Sequence, residues 1–386
     1  MTDRIMIVAA CRTPQGRLLG SLSKFSAADL GVAAGKAALE GIDPQTIDRV
    51  IVGHVIGAGQ KLNVARQISL RLNIPIERPA FTINMACASG MLAVSLAVQA
   101  IRAGDAQVVL CGGTESMSNA PYLLHRARQG YKLGDGKLVD SILNDGLQDA
   151  ISGEHMALTA ERLAREYSIS RQMQDQFALQ SQQRVATAMQ NDVFADELVT
   201  VGKLERDEHP RAETTYESLA SLRPVFDQKG TITAGNASGL NDASAMLIVT
   251  TQQAAQRHGY EPLAIITGTA EIGCDPKRMG LGPVYATQML CEKLKQPLDQ
   301  FDTLELNEAF AAQALACCHD LKLDANAPHL NPHGGAIALG HPVGATGARL
   351  ITHLAHLIKR KDAKNALASL CVGGGMGAAI ALEAAE

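Results

Sequence analysis

Asn84-Met85-Ala86-Cys87-Ala88-Ser89-Gly90 stands where a strand-like apolar run ends and an alanine-rich helical pattern, Ser89 to Arg102, begins. Gly104 supplies a helix stop, and the apolar run Gln107 to Cys111 then enters Gly112-Gly113. Short buried strands alternating with helices are the pattern of an α/β protein with a parallel sheet. The junction also matters chemically. A helix N-terminus leaves backbone N–H groups unpaired and carries partial positive charge, which favours a thiolate. A cysteine between two buried elements serves packing equally well, so position alone does not decide its role.

Upstream, Ile5 to Ala10 and Arg49 to Gly53 read as strands around a helix from Ser26 to Glu40. The far half repeats the order, with a strand from Ala264 to Thr267, a helix from Ala286 to Leu294 and a strand from Phe301 to Leu306. Gly334-Gly335-Ala336-Ile337-Ala338-Leu339-Gly340-His341-Pro342 follows, then a helix to Ile358 and a strand from Ala366 to Cys371. Ile47-Asp48-Arg49-Val50 and Phe301-Asp302-Thr303-Leu304 match 254 residues apart, and the same shift carries Cys87 onto His341. Cys111-Gly112-Gly113 falls near Cys371-Val372-Gly373. These marks predict a duplicated α/β fold.

A chain of 386 residues exceeds what one core supports, and 46% hydrophobic residues suffice to bury a large one. The expected division is an N-terminal core half, 1–118, completed by 245–257, then an inserted loop sub-domain, 119–244, and a C-terminal core half, 258–386. The insertion carries a polar helix from Thr159 to Tyr167 and a glutamine-rich one from Arg171 to Gln190. It is too long for a simple connection and reads as a lid or binding region. The absence of Trp, 3% aromatics and a net charge of -4 argue against nucleic acid or anionic lipid as partners and leave a small molecule. The opening run to Ala10 is short for a signal peptide and places Asp3 in the leading region, and no apolar stretch is long enough to span a bilayer. The eight cysteines are scattered without C-x-x-C pairs, so a reducing cytoplasm is the expected compartment.

If the halves stack as related units, the strand ends carrying Cys87, Asn307, His341 and Cys371 meet on one edge, where α/β sheets bind ligands. A neutral imidazole at His341, in a glycine-rich loop fixed by Pro342, can accept the Cys87 proton, although a lone histidine is as readily structural. Cys371 enters Gly373-Gly374-Gly375-Met376-Gly377, where absent β-carbons let a ligand approach the backbone. No lysine and Ser/Thr follow at the spacing of a phosphate-binding loop. Two thiols and one imidazole suggest a two-stage reaction in which one thiol holds an acyl group and the other moves a proton. His353 and His356 are three apart on a helix. No third metal ligand is evident, and an exposed helix face is expected for them.

Taken with Arg12-Thr13-Pro14, Gly112-Gly113-Thr114-Glu115-Ser116-Met117-Ser118, Gly235-Asn236-Ala237-Ser238-Gly239-Leu240-Asn241-Asp242, Asn307-Glu308-Ala309-Phe310, Gly340-His341-Pro342-Val343-Gly344-Ala345-Thr346-Gly347 and Cys371-Val372-Gly373-Gly374-Gly375, the Cys87 segment resembles the thiolase family over almost the whole chain. The resemblance is nearest the biosynthetic acetyl-CoA acetyltransferase type. It implies two similar β-α-β halves in an α-β-α-β-α layering. It also implies condensation of two acetyl-CoA to acetoacetyl-CoA and CoA, and the reverse thiolysis. Cys87 becomes acylated, His341 activates it, and Cys371 removes the methyl proton of the second acetyl-CoA. Asn307, through a water, forms one oxyanion hole with His341, and the N–H groups of Cys87 and Gly373 form the other.

For acyl-CoA and CoA, matching motifs imply Leu147, His155, Met156 and Arg211 as contacts. They further imply Ser218, Phe226, Ser238, Met279, Ala309 and Phe310. Read without the family, Arg211 is a solvated charge beside Glu208 and Glu213. CoA thioesters are substrates here, no metal or other cofactor is implied, and a homodimer or homotetramer is the family habit. Three positions depart from the pattern. Ala88 and Ala157 replace glycines and Met376 replaces a glutamine, which bears on chain length through a narrower pocket or a shifted Cys87. Asn331-Pro332-His333-Gly334 resembles the longer-chain degradative thiolases, so a medium- or long-chain 3-ketoacyl-CoA thiolase is an alternative. A condensing enzyme of the ketoacyl-synthase kind is disfavoured because it uses a second histidine where Cys371 stands. A non-catalytic CoA- or acyl-binding homologue is disfavoured by the complete set of reactive residues.

Overall fold

The first apolar run forms β1 (Ile5–Arg12), which leads through the two-residue β2 (Gly16–Arg17) to α1 (Ala27–Ala38). Ser26 caps that helix and exchanges hydrogen bonds with Asp29 in a capping box, an arrangement typically worth about 1 kcal/mol. There follow β3 (Arg49–Gly53), α2 (Val64–Arg71), β4 (Ala80–Ile83), α3 (Ser89–Arg102) and β5 (Val108–Ser116). The computed structural model describes residues 4–385, so the reading of Asp3 lies outside the described residues.

The intervening segment holds the hairpin β6 (Tyr122–Leu124) and β7 (Leu138–Asp140), then α4 (Met156–Glu166), α5 (Arg171–Gln190) and α6 (Tyr216–Ala220). The chain re-enters the sheet as β8 (Asn241–Thr251) and crosses by α7 (Gln252–His258) into β9 (Ala264–Gly273), α8 (Gly282–Leu294), β10 (Thr303–Leu306) and α9 (Ala311–Leu321). The short α10 (Ala336–Leu339), α11 (Thr346–Lys359), β11 (Asn365–Val372) and β12 (Met376–Glu383) complete it.

Strand pairing makes the duplication explicit. Across the sheet the order is β10-β11-β12-β9-β1-β8-β5-β3-β4. In one half β3 and β5 run parallel, and β5, β8 and β1 alternate antiparallel. In the other half β10 and β11 run parallel, and β11, β12 and β9 alternate in the same way. Even the β3–β4 pairing has a counterpart, a single parallel bridge between Leu304 and Leu330. A three-residue antiparallel contact, Ile5–Ile7 against Ala264–Ile266, joins the halves, which otherwise form two sheets on opposite sides of α3 and α11.

One core holds α3 and α11 with residues from both sheets, including Val109 and Leu247 on one side and Leu370 and Ile380 on the other. Helices α1 and α2 cover the outer face of one sheet, and α8 and α9 cover that of the other. These are the five layers of the duplicated fold.

The two central helices approach through glycines. A β-carbon on Gly90 would lie 2.8 Å from the Ala348 nitrogen, and one on Gly347 would lie 2.6 Å from the Met91 nitrogen. Both neighbours are backbone and cannot yield easily, and overpacking of this kind costs about 1–3 kcal/mol. Gly347→Val is therefore expected to lower the melting temperature by several degrees in a thermal scan. An unchanged melting temperature would show that the helices separate freely.

Several sequence expectations need correction. The strand expected to stop at Cys111 runs on to Ser116, because Gly112 and Gly113 stay in register with Met246 and Ala245. Their bare Cα atoms admit other backbone: a β-carbon on Gly113 would lie 2.0 Å from the Gly344 carbonyl oxygen. The strand expected over Ala264 to Thr267 extends to Gly273, where it pairs with β12. His353 and His356 are not on an exposed helix face. They are 1% and 8% exposed, because α11 lies between two sheets. His356 Nε2 hydrogen-bonds to the Ala10 carbonyl. His353 bridges Glu197 and His333, at 2.9 and 3.0 Å. Glu197 also pairs with the buried Arg12, which forks onto Asp207, so this polar chain ties the intervening segment to β1 and α11. Despite burial, Arg12 and His353 hold the Glu197 carboxyl well below the usual range. Among the described residues no group of His, Cys, Asp or Glu is placed to hold a metal ion, and no helix is long and apolar enough to cross a membrane.

Candidate active site

After β4 the chain makes a tight turn before α3, and Cys87 sits on it. Ala86 adopts a φ of +44°, a left-handed conformation that non-glycine residues rarely take without compensation. Here the Ser89 hydroxyl compensates, accepting from the Met85 N–H at 2.8 Å and donating to the Ala86 carbonyl at 2.7 Å. The Ala86 N–H also donates to Asn84 Oδ1. Cys87 is 6% exposed. Burial pushes its thiol up to about 11, while the N–H groups of Gly373 and of Cys87 itself point at the sulfur and oppose that shift. At neutral pH the side chain is a thiol that needs a base before it can attack.

His341 precedes α11 as Cys87 precedes α3. Its backbone N–H donates to Asn241 Oδ1 at 3.0 Å, and Asn241 Nδ2 donates to the Gly16 carbonyl. Gly340 makes this contact possible: at φ +106° it turns the chain where a β-carbon would strike the Asn241 amide. The ring Nδ1 lies 2.7 Å from the Thr346 hydroxyl, whose one proton goes to the Pro342 carbonyl. Nδ1 therefore carries the imidazole proton. Nε2 presents a lone pair and has no hydrogen-bond partner among the described residues. Burial, aided by Arg349, depresses the imidazole to about 4, so it is uncharged at neutral pH and able to take a proton.

Cys371, near the end of β11, packs with Met156, Met279, Ala309 and Phe310. Burial, then its neighbours Cys87 and Cys317, push its thiol well above the ordinary value. The triple glycine after it is a tight hairpin into β12, with Gly374 and Gly375 at φ of +85° and +83°. Gly373 is bare for a different reason: the Met156 thioether fills the space where its β-carbon would sit. Asn307 follows β10 and is fully buried, and neither atom of its amide has a hydrogen-bond partner among the described residues. Leaving an amide so costs about 1–3 kcal/mol, which marks it as a group kept for something other than stability.

One cavity of about 880 Å³ gathers these parts, with Cys87, His341 and Cys371 all in its wall. Leu147, His155, Met156, Arg211, Ser218 and Phe226 line it too. So do Ser238, Met279, Ala309 and Phe310. Asn307 and Gly373 are not among the lining residues; Gly373 meets two that are, Cys87 through its N–H and Met156 through the thioether. His155 caps α4 by accepting the Ala157 N–H on Nδ1 and stacks on Phe226, with centroids 4.4 Å apart. The Ser238 N–H donates to the Ala309 carbonyl, which fixes two of the lining segments to each other. Arg211 is exposed at the cavity wall, and its backbone N–H donates to Gln182 Oε1. Glu208, expected beside it, is taken up by Ser21 and the Arg17 N–H instead. Ala88, Ala157 and Met376 do not line the cavity, so their methyl groups do not narrow it directly.

Thr346 and Asn241 lie within the family motifs, but neither side chain carries reactive chemistry of its own that sequence alone could single out. Leu143, Gln182 and His209 line the same cavity, with no signal in the sequence to place them there. Thr346 had a local signal, a hydroxyl five residues after His341 at the start of a helix. Asn241 had none, being 100 residues away in sequence.

Residues 5–253 match the thiolase N-terminal domain, and residues 260–384 match the thiolase C-terminal domain. An acetyl-CoA acetyltransferase of Escherichia coli (strain K12) is 47% identical over 389 residues, covering 98% of each chain. An acetyl-CoA acetyltransferase of Cupriavidus necator is 46% identical over 394 residues, covering 99% of this chain and all of the relative. The crystal structure of human mitochondrial 3-ketoacyl-CoA thiolase in complex with CoA superposes with a TM-score of 0.97 at 44% identity, covering 100% of this chain and 99% of that one. With both domains matched in order and the relatives similar from end to end, the chain belongs to the thiolase family.

Proposed function

We propose that this thiolase is an acetyl-CoA C-acetyltransferase that condenses two acetyl-CoA to acetoacetyl-CoA and CoA and catalyses the reverse thiolysis. The carrying observation is that two thiols and a neutral imidazole line one cavity, with the Cys87 sulfur facing the Gly373 N–H. Cys87 gives its proton to His341 Nε2 and attacks the acetyl carbonyl. CoA leaves with the proton of Cys371, so Cys371 becomes a thiolate. That thiolate, strongly basic because it is buried, takes a methyl proton from a second acetyl-CoA. The resulting carbanion attacks the acetyl-Cys87 thioester. The Cys87 sulfur departs and recovers its proton from His341, which closes the cycle. The N–H groups of Cys87 and Gly373 serve the oxyanion on the acyl carbon, and His341 with a water held by Asn307 serves the enolate. Each such donor is commonly worth about 3 to 4 kcal/mol in the transition state.

Coenzyme A thioesters enter as substrates in this scheme, which calls on no resident cofactor. The ten further lining residues named above are the proposed acyl-CoA and CoA contacts, with Arg211 suited to the phosphate-bearing end as a planar cation. A homodimer or homotetramer is proposed, supported by β4, which ends the sheet with one edge unpaired. All eight cysteines are free, which supports the cytoplasm as the compartment.

The second reading is a medium- or long-chain 3-ketoacyl-CoA thiolase, favoured by the likeness to the human mitochondrial enzyme. Thiolysis of C4, C6, C8 and C16 3-ketoacyl-CoA separates the two. The C4 substrate is expected to give the highest kcat/KM. A C16 value above C4 would replace the first reading with the second, and no turnover on any of them would leave a CoA-binding homologue.

A further inference from the structure

Glu115 is 0% exposed and its carboxylate is fully engaged. Oε2 accepts the N–H groups of Val55 at 3.0 Å and Gly344 at 2.9 Å, and Oε1 accepts that of Ile56 at 3.2 Å. His54 Nδ1 lies 3.0 Å from Oε1 and from the Thr114 carbonyl oxygen, and despite burial the Glu115 carboxylate raises the His54 imidazole above its ordinary value. These partners lead to the reacting residues by two routes. Gly344 belongs to the loop between His341 and α11. Val55 accepts, on its carbonyl, a hydrogen bond from Asn84 Nδ2, and Asn84 in turn receives the Ala86 N–H immediately before Cys87. The carboxylate is thus a buried node between the turn that presents the thiol and the loop that presents the imidazole, and these belong to different halves of the fold.

We propose that Glu115 is a positioning residue for acyl transfer, holding the His341 loop against the Cys87 turn so that Nε2 can take the thiol proton. Gln at this position keeps the shape but turns an N–H₂ group towards at least one of the N–H donors, which misaligns one arm of the clamp. The inference rests on His341 serving as the base for Cys87 in the proposed function.

The test follows alkylation of Cys87 by iodoacetamide at pH 7.5, alongside acetoacetyl-CoA thiolysis, in the parent, E115Q, H341A and E115Q/H341A. Expected for E115Q are a fall in kcat of roughly 30-fold with KM within threefold, and alkylation slowed towards the H341A rate. The double variant should then be no slower than H341A, because a residue acting through His341 has nothing left to lose once the imidazole is gone. Losses that multiply in the double variant, or a kcat in E115Q within threefold of the parent, overturn the proposal. An H341A chain alkylated as fast as the parent would instead defeat the underlying role of His341. Should E115Q not fold, G344A takes its place in every arm. A β-carbon there would lie 2.7 Å from Glu115 Oε2 and open the same clamp from the other side.

Discussion

A Cys87→Ser chain is expected to lose about 10⁴-fold in kcat for acetoacetyl-CoA cleavage, followed at the enolate absorbance, while melting like the parent. The substitution keeps the shape of a side chain that is 6% exposed on a turn stabilised by Ser89. What it removes is a thiol that an imidazole base can ionise. A buried hydroxyl is a far weaker acid than a thiol already pushed up to about 11, so His341 would face a proton it cannot take. Radiolabelled acetyl-CoA should likewise leave label on the Cys87 peptide of the parent and none on the variant. Turnover within tenfold of the parent, or label on another peptide, would remove Cys87 as the nucleophile.

Cys371→Ala is expected to separate the two stages. Acetyl-CoA should still acylate Cys87, though more slowly, because His341 remains to take the Cys87 proton while the departing CoA thiolate loses the Cys371 proton, whereas acetoacetyl-CoA formation should fall by about 10³-fold for want of a group to take the methyl proton. The signature is one labelled acetyl group per chain, persisting over many parental turnovers. Met156, Met279, Ala309 and Phe310, packed around the thiol, carry no group that could take its place. Condensation at the parental rate would show that the methyl proton moves by another route.

The parts of the fold legible in the sequence are those with a local pattern. Arg49–Gly53, Ser89–Arg102 and Arg171–Gln190 lie where the apolar spacing puts them. The antiparallel strands β8 and β12 were not read as strands, since β8 closes a long polar excursion and β12 follows a run of glycines that points to a loop. His353 and His356 show how spacing can mislead. Three-residue spacing on a helix says which face two side chains share but not whether that face meets water. Only the enclosure of α11 between two sheets decides that. Glu115, Asn241 and Thr346 mark the limit for the site. Each acts by touching backbone or a ring from another segment, and Glu115 reaches Gly344 across 229 residues. Reactive side chains carry their chemistry in their identity, while the groups that aim them become visible only when the chain is folded.

The repeated strand pattern has a consequence for how such a catalyst can exist at all. Cys87 and His341 stand before the corresponding central helices of the two repeats. Two identical copies related by a twofold axis would put the same residue at both places, giving two sulfurs or two imidazoles face to face and no donor–acceptor couple. Covalent linkage of the copies into a single polypeptide breaks that symmetry, because each repeat can then accept substitutions the other does not share. The asymmetry of the reacting pair is thus a property of the tandem chain, beyond the reach of either repeat assembling with itself.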